Sequence, residues 1–131
     1  MKILLAISLF FIVSSLQAID LPWIHNLETA KKIAQKEHKD IYVFIGAEHC
    51  NFCVRYKNEV LSNKKVQQIL KRRFVTVFFN RDKHYIPKEF EKFGVPRHYF
   101  LTPNGRIYFD DAGIKGVNGF FMMLDEASLN R

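Results

Sequence analysis

The sequence predicts an α/β fold in which helices flank a central mixed sheet of about four strands. Residues 41–45 form a continuous apolar run, and residues 74–79 are apolar apart from Thr76; both are rich in β-branched and aromatic residues, as expected of strands buried on both faces. Segments with a helical spacing of apolar residues precede both runs, and strands that helices connect pair in parallel. Two further apolar runs flank residues 103–105, Pro-Asn-Gly, where Asn and Gly tolerate positive φ. This pattern predicts an antiparallel hairpin at the edge of the sheet.

The first 18 residues have the layout of a secretory signal peptide. Lys2 is followed by residues 3–13, which carry no charge, and the segment ends on the small residue Ala18. The apolar run is shorter than the roughly 20 residues that span a bilayer, and an uncleaved anchor is the alternative interpretation. Cleavage after Ala18 would leave residues 19–131 as a single domain.

The predicted helices begin at residues that are typical of helix starts. The N-cap candidates are Asn26, Ser62 or Asn63, and Asn118, whereas Pro87 suits the first turn of a short helix. In chain order, the predicted helices cover residues 27–39, a segment from about Cys50, a segment through residue 70, residues 87–94, and a last segment after Asn118. The hairpin strands cover residues 98–101 and 106–109.

Composition and charge exclude several classes of protein. An apolar fraction of 48% excludes a disordered chain. The formal net charge of +7 arises from 20 Lys and Arg residues against 13 Asp and Glu residues. Because these basic residues lie between apolar positions at helical spacing, we interpret them as solvated helix faces and expect no nucleic-acid partner. A preference for acidic partners or anionic lipid surfaces is the alternative.

Both cysteines fall in one four-residue window, Cys50-Asn51-Phe52-Cys53. Two cysteines exclude a disulfide-dense scaffold and a zinc site of four cysteines within one chain. The pair follows a predicted strand and opens a predicted helix, where unpaired N–H groups and the helix dipole stabilise a thiolate. The i, i+3 spacing brings Cys53 within disulfide range of Cys50. This placement indicates a dithiol that exchanges with foreign disulfides.

The residues in and around this window resemble the thioredoxin-like superfamily. Residues 47–53, Ala-Glu-His-Cys-Asn-Phe-Cys, occupy the place of the thioredoxin motif A-E-W-C-G-P-C, and residues 94–96, Gly-Val-Pro, are similar to the family's cis-proline segment. Residues 60–66 are similar to the E-V-(L/F)-S-x-x-x-V run of an exported thioredoxin-like group, which Trp23 also fits. The resemblance covers residues 23–127, nearly the whole chain after Ala18.

The resemblance implies a thioredoxin-like fold with an exposed Cys50, a more buried Cys53 and a cis peptide bond between Val95 and Pro96. It implies that Cys50 is the nucleophile and that Cys53 resolves the mixed disulfide. It further implies that Pro96 packs against the disulfide, while the backbone of Val95 pairs with an extended segment of substrate.

Two departures concern residues around the motif. Phe44 stands where thioredoxin has an acidic residue that helps to deprotonate the second cysteine, so either Glu48 or water takes that role or the resolving step is slower. The segment before the cis-proline is shorter than in thioredoxin, which brings Arg97 and His98 close to the site. We expect His98, like the other histidines outside the motif, to be a surface or hydrogen-bonded histidine rather than a metal ligand.

The other departures lie within the motif. Asn51 and Phe52 stand between the two cysteines, where the family has the dipeptide that tunes redox potential. Their identities do not indicate whether the protein is an oxidase, a reductase or an isomerase. His49 either favours the Cys50 thiolate as a cation or fills the exposed place of the family's Trp. Phe52 either contacts substrate at the rim of the site or packs against a neighbouring loop.

We therefore expect a periplasmic thiol–disulfide oxidoreductase, reductase-type rather than oxidase-type, that needs no dissociable cofactor. We expect a monomer whose partners are protein thiols and disulfides together with a membrane or periplasmic dithiol that supplies electrons. Two alternatives stay open. The first is a protein that handles Cu(I) or Zn(II) through Cys50, Cys53 and His49. The second is a binding module of the same fold with a merely structural disulfide.

Overall fold

The computed structural model describes residues 21–131, so the predicted signal peptide and its cleavage site after Ala18 lie outside the described residues. This part of the chain contains four α-helices, one π-helical turn and four strands. In chain order they are α1 (Leu27–Glu37), β1 (Asp40–Gly46), α2 (Asn51–Tyr56), a π-helical turn (Lys57–Leu61), α3 (Lys64–Arg73), β2 (Phe74–Asn80), β3 (Arg97–Leu101), β4 (Ile107–Ala112) and α4 (Val117–Leu129). Within residues 21–131, no helix is both long enough and apolar enough to cross a membrane.

The four strands form one mixed sheet in the order β2-β1-β3-β4. β1 pairs in parallel with β2 and antiparallel with β3, and β3 pairs antiparallel with β4. Because β1 has a partner on each side and helices cover both faces, every residue of this strand after Asp40 is buried. The predicted α/β fold with a mixed sheet of four strands is confirmed.

The local signals for helix starts are confirmed at two positions. The Asn26 side chain accepts a hydrogen bond from the backbone N–H of Thr29 at the start of α1. The Asn63 side chain accepts one from the N–H of Lys65 at the start of α3. Of the two candidates for this second cap, Ser62 and Asn63, the structure selects Asn63.

Asn118 is not a helix cap, so that prediction is wrong. The N–H of Phe120 donates to the carbonyl of Gly116, which makes Gly116 the N-cap and Val117 the first residue of α4. Asn118 lies inside the first turn with an exposed side chain. A glycine is an acceptable N-cap, so the stronger sequence signal two residues later was misleading.

The predicted helix over residues 87–94 is also wrong. The segment makes one turn, in which the N–H of Phe90 donates to the carbonyl of Pro87, and then continues irregularly. The next amides bond elsewhere: the N–H of Glu91 donates to the Tyr99 hydroxyl at 2.7 Å, and that of Phe93 to the Glu91 carboxylate at 2.9 Å. These bonds replace the helical ladder, and the buried Phe90 ring anchors the segment.

The β-hairpin is confirmed, but its turn differs from the expected one. The N–H of Thr102 donates to the carbonyl of Arg106, and the N–H of Gly105 donates to the carbonyl of Thr102, which closes a three-residue loop. In this loop only Gly105 has a positive φ, of 94°, and Asn104 does not. A type I turn that ends in a left-handed glycine explains this, and Pro103 suits the second position of such a turn.

Two apolar layers cover the two faces of the sheet. The layer between the sheet and α2, α3 and α4 is largely aromatic. Its fully or nearly buried rings belong to Tyr42, Phe44, Tyr56, Phe74, Phe100 and Phe120. The layer beneath α1 is largely aliphatic and includes Leu27, Ala30, Ala34, Ile41, Val43, Ile45, Val75, Val77 and Leu101. Residues of β1 alternate between the two layers, as a strand covered on both faces requires.

One histidine lies inside the aromatic layer. His98 is fully buried; its Nδ1 lies 2.8 Å from the Tyr42 hydroxyl and its Nε2 lies 3.0 Å from the carbonyl oxygen of Gly113. The Tyr42 hydroxyl in turn lies 2.7 Å from that of Tyr56. Burial lowers the pKa of His98 to about 4, so this ring is neutral at neutral pH. His98 is thus a hydrogen-bonded core histidine.

The buried His98 predicts that acidification destabilises the fold. The unfolded chain binds a proton at His98 near pH 6.5, whereas the folded protein binds it only near a pKa of about 4. Between these values the unfolded state holds more protons, so stability falls as the pH decreases through this window. The total loss from this group is on the order of 3 kcal/mol. Urea unfolding measured across the window checks the slope.

The exposed His38 provides a matched control. His98→Gln removes the titrating group and should flatten the pH dependence of the free energy of unfolding, whereas His38→Gln should keep it. If His98→Gln and the unaltered protein lost stability with the same slope, His98 would not be the group responsible.

Candidate active site

The two cysteines lie where β1 leads into α2. β1 ends at Gly46, a short loop follows, and Cys50 is the N-cap of α2 with extended backbone angles. Cys50 and Cys53 form a disulfide with their Cα atoms 5.2 Å apart, and Cys50 Sγ accepts a hydrogen bond from the N–H of Cys53 at 3.1 Å. Cys50 is partly exposed, whereas Cys53 is only 3% exposed. The pair therefore presents one accessible sulfur and one buried sulfur.

The inner side of the disulfide faces aromatic rings and a glycine. A Cβ atom on Gly46 would lie 3.6 Å from both Cys53 Sγ and Phe44 Cζ, and 3.3 Å from the Phe78 ring. The Phe44 and Phe78 rings stack on each other with centroids 5.2 Å apart. The end of β1 therefore lies close to Cys53 Sγ, and a side chain at position 46 would crowd the Phe78 ring. The Phe44 position, where the resemblance leads one to expect a buried acid, contributes an apolar wall instead.

Lys57 lies on the same pair of rings. Its Nζ is 4.2 Å from the Phe78 ring centroid and 5.9 Å from that of Phe44. Partial burial lowers the pKa of Lys57, although the Glu48 carboxylate opposes this shift. Lys57 and the two rings also line a pocket of about 360 Å³, together with Trp23. Our sequence reasoning missed Lys57, although its position four residues after Cys53 puts the two on one helix face.

Glu48 connects the cysteine loop to the turn that follows β2. Its carboxylate lies 2.7 Å from Lys83 Nζ and accepts a hydrogen bond from the Asn80 amide at 3.2 Å. Its backbone N–H donates to the Asp82 carboxylate at 2.8 Å. The hydrogen bond from Lys83 lowers the pKa of Glu48, which favours the ionised form. A role of Glu48 in deprotonating Cys53 stays a prediction.

The peptide bond between Val95 and Pro96 is cis, the geometry that the resemblance implies. Sheet register brings this bond to the cysteines: Ile45 pairs with Arg97, so Pro96 lies beside Gly46, at the end of β1 that leads to Cys50. The carbonyl of Pro96 accepts a hydrogen bond from the N–H of Gly113 at 2.8 Å. Pro96 is buried and Val95 is partly exposed.

The remaining predicted site residues lie around the accessible sulfur. His49 and Asn51 are exposed, and the Phe52 side chain is 57% exposed, which agrees with a position at the rim rather than packing against a loop. Arg97 and His98 follow Pro96 on alternate faces of β3: His98 enters the aromatic layer, and Arg97 lies over the Tyr99 ring on the other face. In residues 21–131, no cluster of three or more His, Cys, Asp or Glu side chains could hold a metal ion.

Known proteins resemble the chain in both sequence and fold. A protein of Archaeoglobus fulgidus described as uncharacterized is 26% identical over 84 residues, which are 64% of this chain. The match spans 62% of the length of that curated relative.

Solved structures with the same fold include a DsbH oxidoreductase, with a TM-score of 0.66 and 18% identity over 86% of this chain and 87% of that one. A thioredoxin from Thermus thermophilus has a TM-score of 0.67 and 24% identity over 83% of this chain and 88% of that one. A disulphide isomerase from Xylella fastidiosa Temecula1 has a TM-score of 0.62 and 17% identity over 82% and 99% of the two chains. At these identities, the likeness shows a shared fold.

The family model described as thioredoxin-like matches residues 22–103, which include the cysteine window, the cis-proline and all of β3. Together with the mixed sheet and the cysteine pair at the junction of β1 and α2, this match means that the chain belongs to the thioredoxin-like family.

Proposed function

We propose that this protein is a thiol–disulfide oxidoreductase that acts on the cysteines of other proteins through Cys50 and Cys53. The observation that carries the proposal is the disulfide between a partly exposed and a buried cysteine at the junction of β1 and α2. A disulfide that merely stabilises the fold would not need a partly exposed sulfur at the rim. Three proteins with this fold, an oxidoreductase, a thioredoxin and a disulphide isomerase, support the same reaction class.

The unequal exposure of the two sulfurs assigns their roles. In the reduced protein, the accessible Cys50 thiolate attacks a substrate disulfide, forms a mixed disulfide and releases one substrate thiolate. The buried Cys53 then loses its proton and attacks Cys50 Sγ, which restores the Cys50–Cys53 disulfide and releases the second substrate thiolate. Two electrons pass to the substrate, so a dithiol partner must reduce the pair again before the next turnover.

The substrate surface lies around Cys50. Val95 is partly exposed just before Pro96, so its backbone can pair with an extended segment of the substrate polypeptide. The exposed side chains of His49, Asn51 and Phe52 form the opposite rim. Phe52 contributes most of the apolar contact there, because more than half of its side chain is accessible.

The electrostatics of Cys50 favour reduction of substrates over their oxidation. A strong oxidant owes its potential to a reduced form whose thiolate is strongly stabilised. Here Cys50 Sγ accepts a hydrogen bond from the Cys53 N–H, while the Lys83 ammonium is paired with the Glu48 carboxylate. The Glu48 carboxylate, two residues before Cys50, also opposes a second negative charge. A modestly stabilised thiolate corresponds to a reducing potential.

The segment before the described domain supports export. Residues 1–18 have the charge and apolar layout of a signal peptide, so the working protein begins at Ile19 in the periplasm. In that compartment, a dithiol partner in the membrane or the periplasm supplies the electrons.

Substitution of each cysteine separates the two chemical roles. Cys50→Ser should abolish the reduction of insulin disulfides, because no accessible thiolate remains. Cys53→Ser should still attack but should accumulate the mixed disulfide, which non-reducing electrophoresis and mass spectrometry detect. Val54→Ser, a change at an exposed neighbouring position, serves as the control. Undiminished turnover by Cys50→Ser would refute the proposal.

The reduction potential of the Cys50–Cys53 pair tests the direction of the reaction. We expect a value nearer roughly −270 mV than roughly −120 mV, because the Glu48 carboxylate offsets part of the stabilisation that the start of α2 gives the Cys50 thiolate. Equilibration with glutathione or dithiothreitol buffers, followed by alkylation and mass measurement, gives the value. A potential close to that of the oxidising enzymes would overturn the assignment as a reductase while leaving the exchange chemistry intact.

Expression of the full chain in a Gram-negative host tests export. The periplasmic fraction should contain a protein whose intact mass corresponds to a start at Ile19. Replacing the small residue at the cleavage site, Ala18→Phe, should leave the precursor uncleaved. Recovery of the unaltered chain at full length in the cytoplasm would contradict the export proposal.

A further inference from the structure

A continuous series of hydrogen bonds through the buried core connects α2, the helix that carries Cys53, with Pro96. Tyr56 lies on α2, three residues after Cys53, and its hydroxyl is 2.7 Å from that of Tyr42 on β1. The Tyr42 hydroxyl is 2.8 Å from Nδ1 of His98 on β3. The series then continues outward from His98 to the loop beyond β4.

Gly113, in that loop, holds the other end of the series. Its carbonyl oxygen lies 3.0 Å from Nε2 of His98, and its N–H donates to the carbonyl of Pro96 at 2.8 Å. Gly113 has a φ of 98°, a conformation in which glycine is favoured. The peptide units on either side of one glycine therefore bind the core histidine and the cis-proline. No bond in the series exceeds 3.0 Å.

The chemistry of the groups fixes which atom donates in each bond. A carbonyl oxygen can only accept, so Nε2 of His98 carries the proton and donates to Gly113. Nδ1 of the neutral ring then accepts from the Tyr42 hydroxyl, and the Tyr42 oxygen accepts from the Tyr56 hydroxyl. Both ring nitrogens are used, which leaves no lone pair free for a metal ion.

We propose that His98 is a positioning residue that fixes the cis-Pro96 segment relative to the helix that carries Cys53. The inference rests on the proposed exchange reaction, in which the substrate backbone pairs beside Pro96 while its sulfur meets Cys50. Apart from this series, the aromatic layer consists mainly of apolar rings, which pack closely but do not impose hydrogen-bond direction. The hydrogen bonds of this series orient α2, β1 and β3 relative to one another, although these elements are far apart in sequence.

The charged groups around His98 do not break the series at neutral pH. The hydrogen bond to Gly113 and the Asp111 carboxylate favour a charged ring, whereas burial, the largest effect, together with Lys115 and Arg97 keeps the pKa low. The hydroxyl groups facing the ring belong to Tyr42 and Tyr56, and burial raises the pKa of both, so both keep the protons that they donate. The donor order therefore persists over the pH range in which thiol exchange operates.

Two kinds of disulfide distinguish positioning from the chemistry of the cysteines. A disulfide-bonded polypeptide needs Cys50 and the Pro96 segment in register, whereas the small aromatic disulfide 5,5′-dithiobis(2-nitrobenzoate) needs only the thiolate. In His98→Leu, we expect kcat/KM for insulin to fall about tenfold and the rate with the small disulfide to stay within about twofold. Tyr42→Phe, which removes one hydroxyl and keeps the ring, should likewise lower kcat/KM for insulin and leave the rate with the small disulfide within about twofold, so it serves if His98→Leu does not fold.

Tyr108→Phe is the matched control, because it also removes a tyrosine hydroxyl that makes a hydrogen bond, here to Asp40 at the other end of β1. It should leave the ratio of the two rates unchanged. Equal losses on both disulfides in His98→Leu and Tyr42→Phe would reduce His98 to a structural role and overturn the inference. Unchanged rates on insulin would overturn it as well.

Hydrogen exchange provides a readout that does not depend on turnover. The Gly113 amide, which donates to Pro96, should exchange about tenfold faster in Tyr42→Phe than in the unaltered protein or Tyr108→Phe. If the unaltered protein reduced no protein disulfide, the proposed function would fail on its own, and exchange at Gly113 would still decide the inference. Unaltered exchange in Tyr42→Phe would overturn it.

Discussion

The pairing of β1 with β3 is the interaction on which the candidate site depends. Cys50 follows the carboxyl end of β1, and β3 begins just after the cis bond at Pro96. Antiparallel register places Ile45 opposite Arg97, so the two chain segments meet at one end of the sheet although about fifty residues separate them. A register shift of one residue would move His98 into the aliphatic layer and Arg97 and Tyr99 into the aromatic layer. Because both faces of the strand are covered, the displaced side chains would not fit. The core thus fixes the geometry of the surface site.

The aromatic layer sets the chemical conditions behind that site. Phe44 and Phe78 stack where Cys53 is buried, and Lys57 is the cation that lies over them. An uncharged wall of this kind disfavours any charged group placed against it, including a thiolate at Cys53. The Lys57 ammonium, four residues after Cys53 and over the same two rings, is a positive charge that would lower the cost of forming that thiolate. Around the second cysteine, thioredoxin has a buried acidic residue, whereas this protein has Phe44, Phe78 and Lys57.

Sequence patterns predicted those parts of the molecule that local physics determines. The two buried strands, the Asn26 cap and the cysteine pair at a strand-to-helix junction all follow from neighbouring residues. The predicted helix after Pro87 failed because a distant residue, Tyr99, captures an amide that a helix would use. The network around His98 could not be predicted either, since its members lie on three different elements and meet only through the sheet register. An exposed Phe52 was predictable, because the motif itself puts that residue at the rim.

The unequal burial of the two sulfurs also bears on how the protein withstands oxidants. In the reduced protein, peroxide would reach the partly exposed Cys50 and convert its thiolate to a sulfenic acid. Cys53, enclosed by Gly46 and two aromatic rings, is shielded from the same reagent but is close enough to condense with the oxidised partner. That condensation expels water and yields the ordinary disulfide, which a dithiol can reduce again. Formation of the Cys50–Cys53 disulfide would therefore protect Cys50 from further oxidation to the irreversible sulfinic and sulfonic acids.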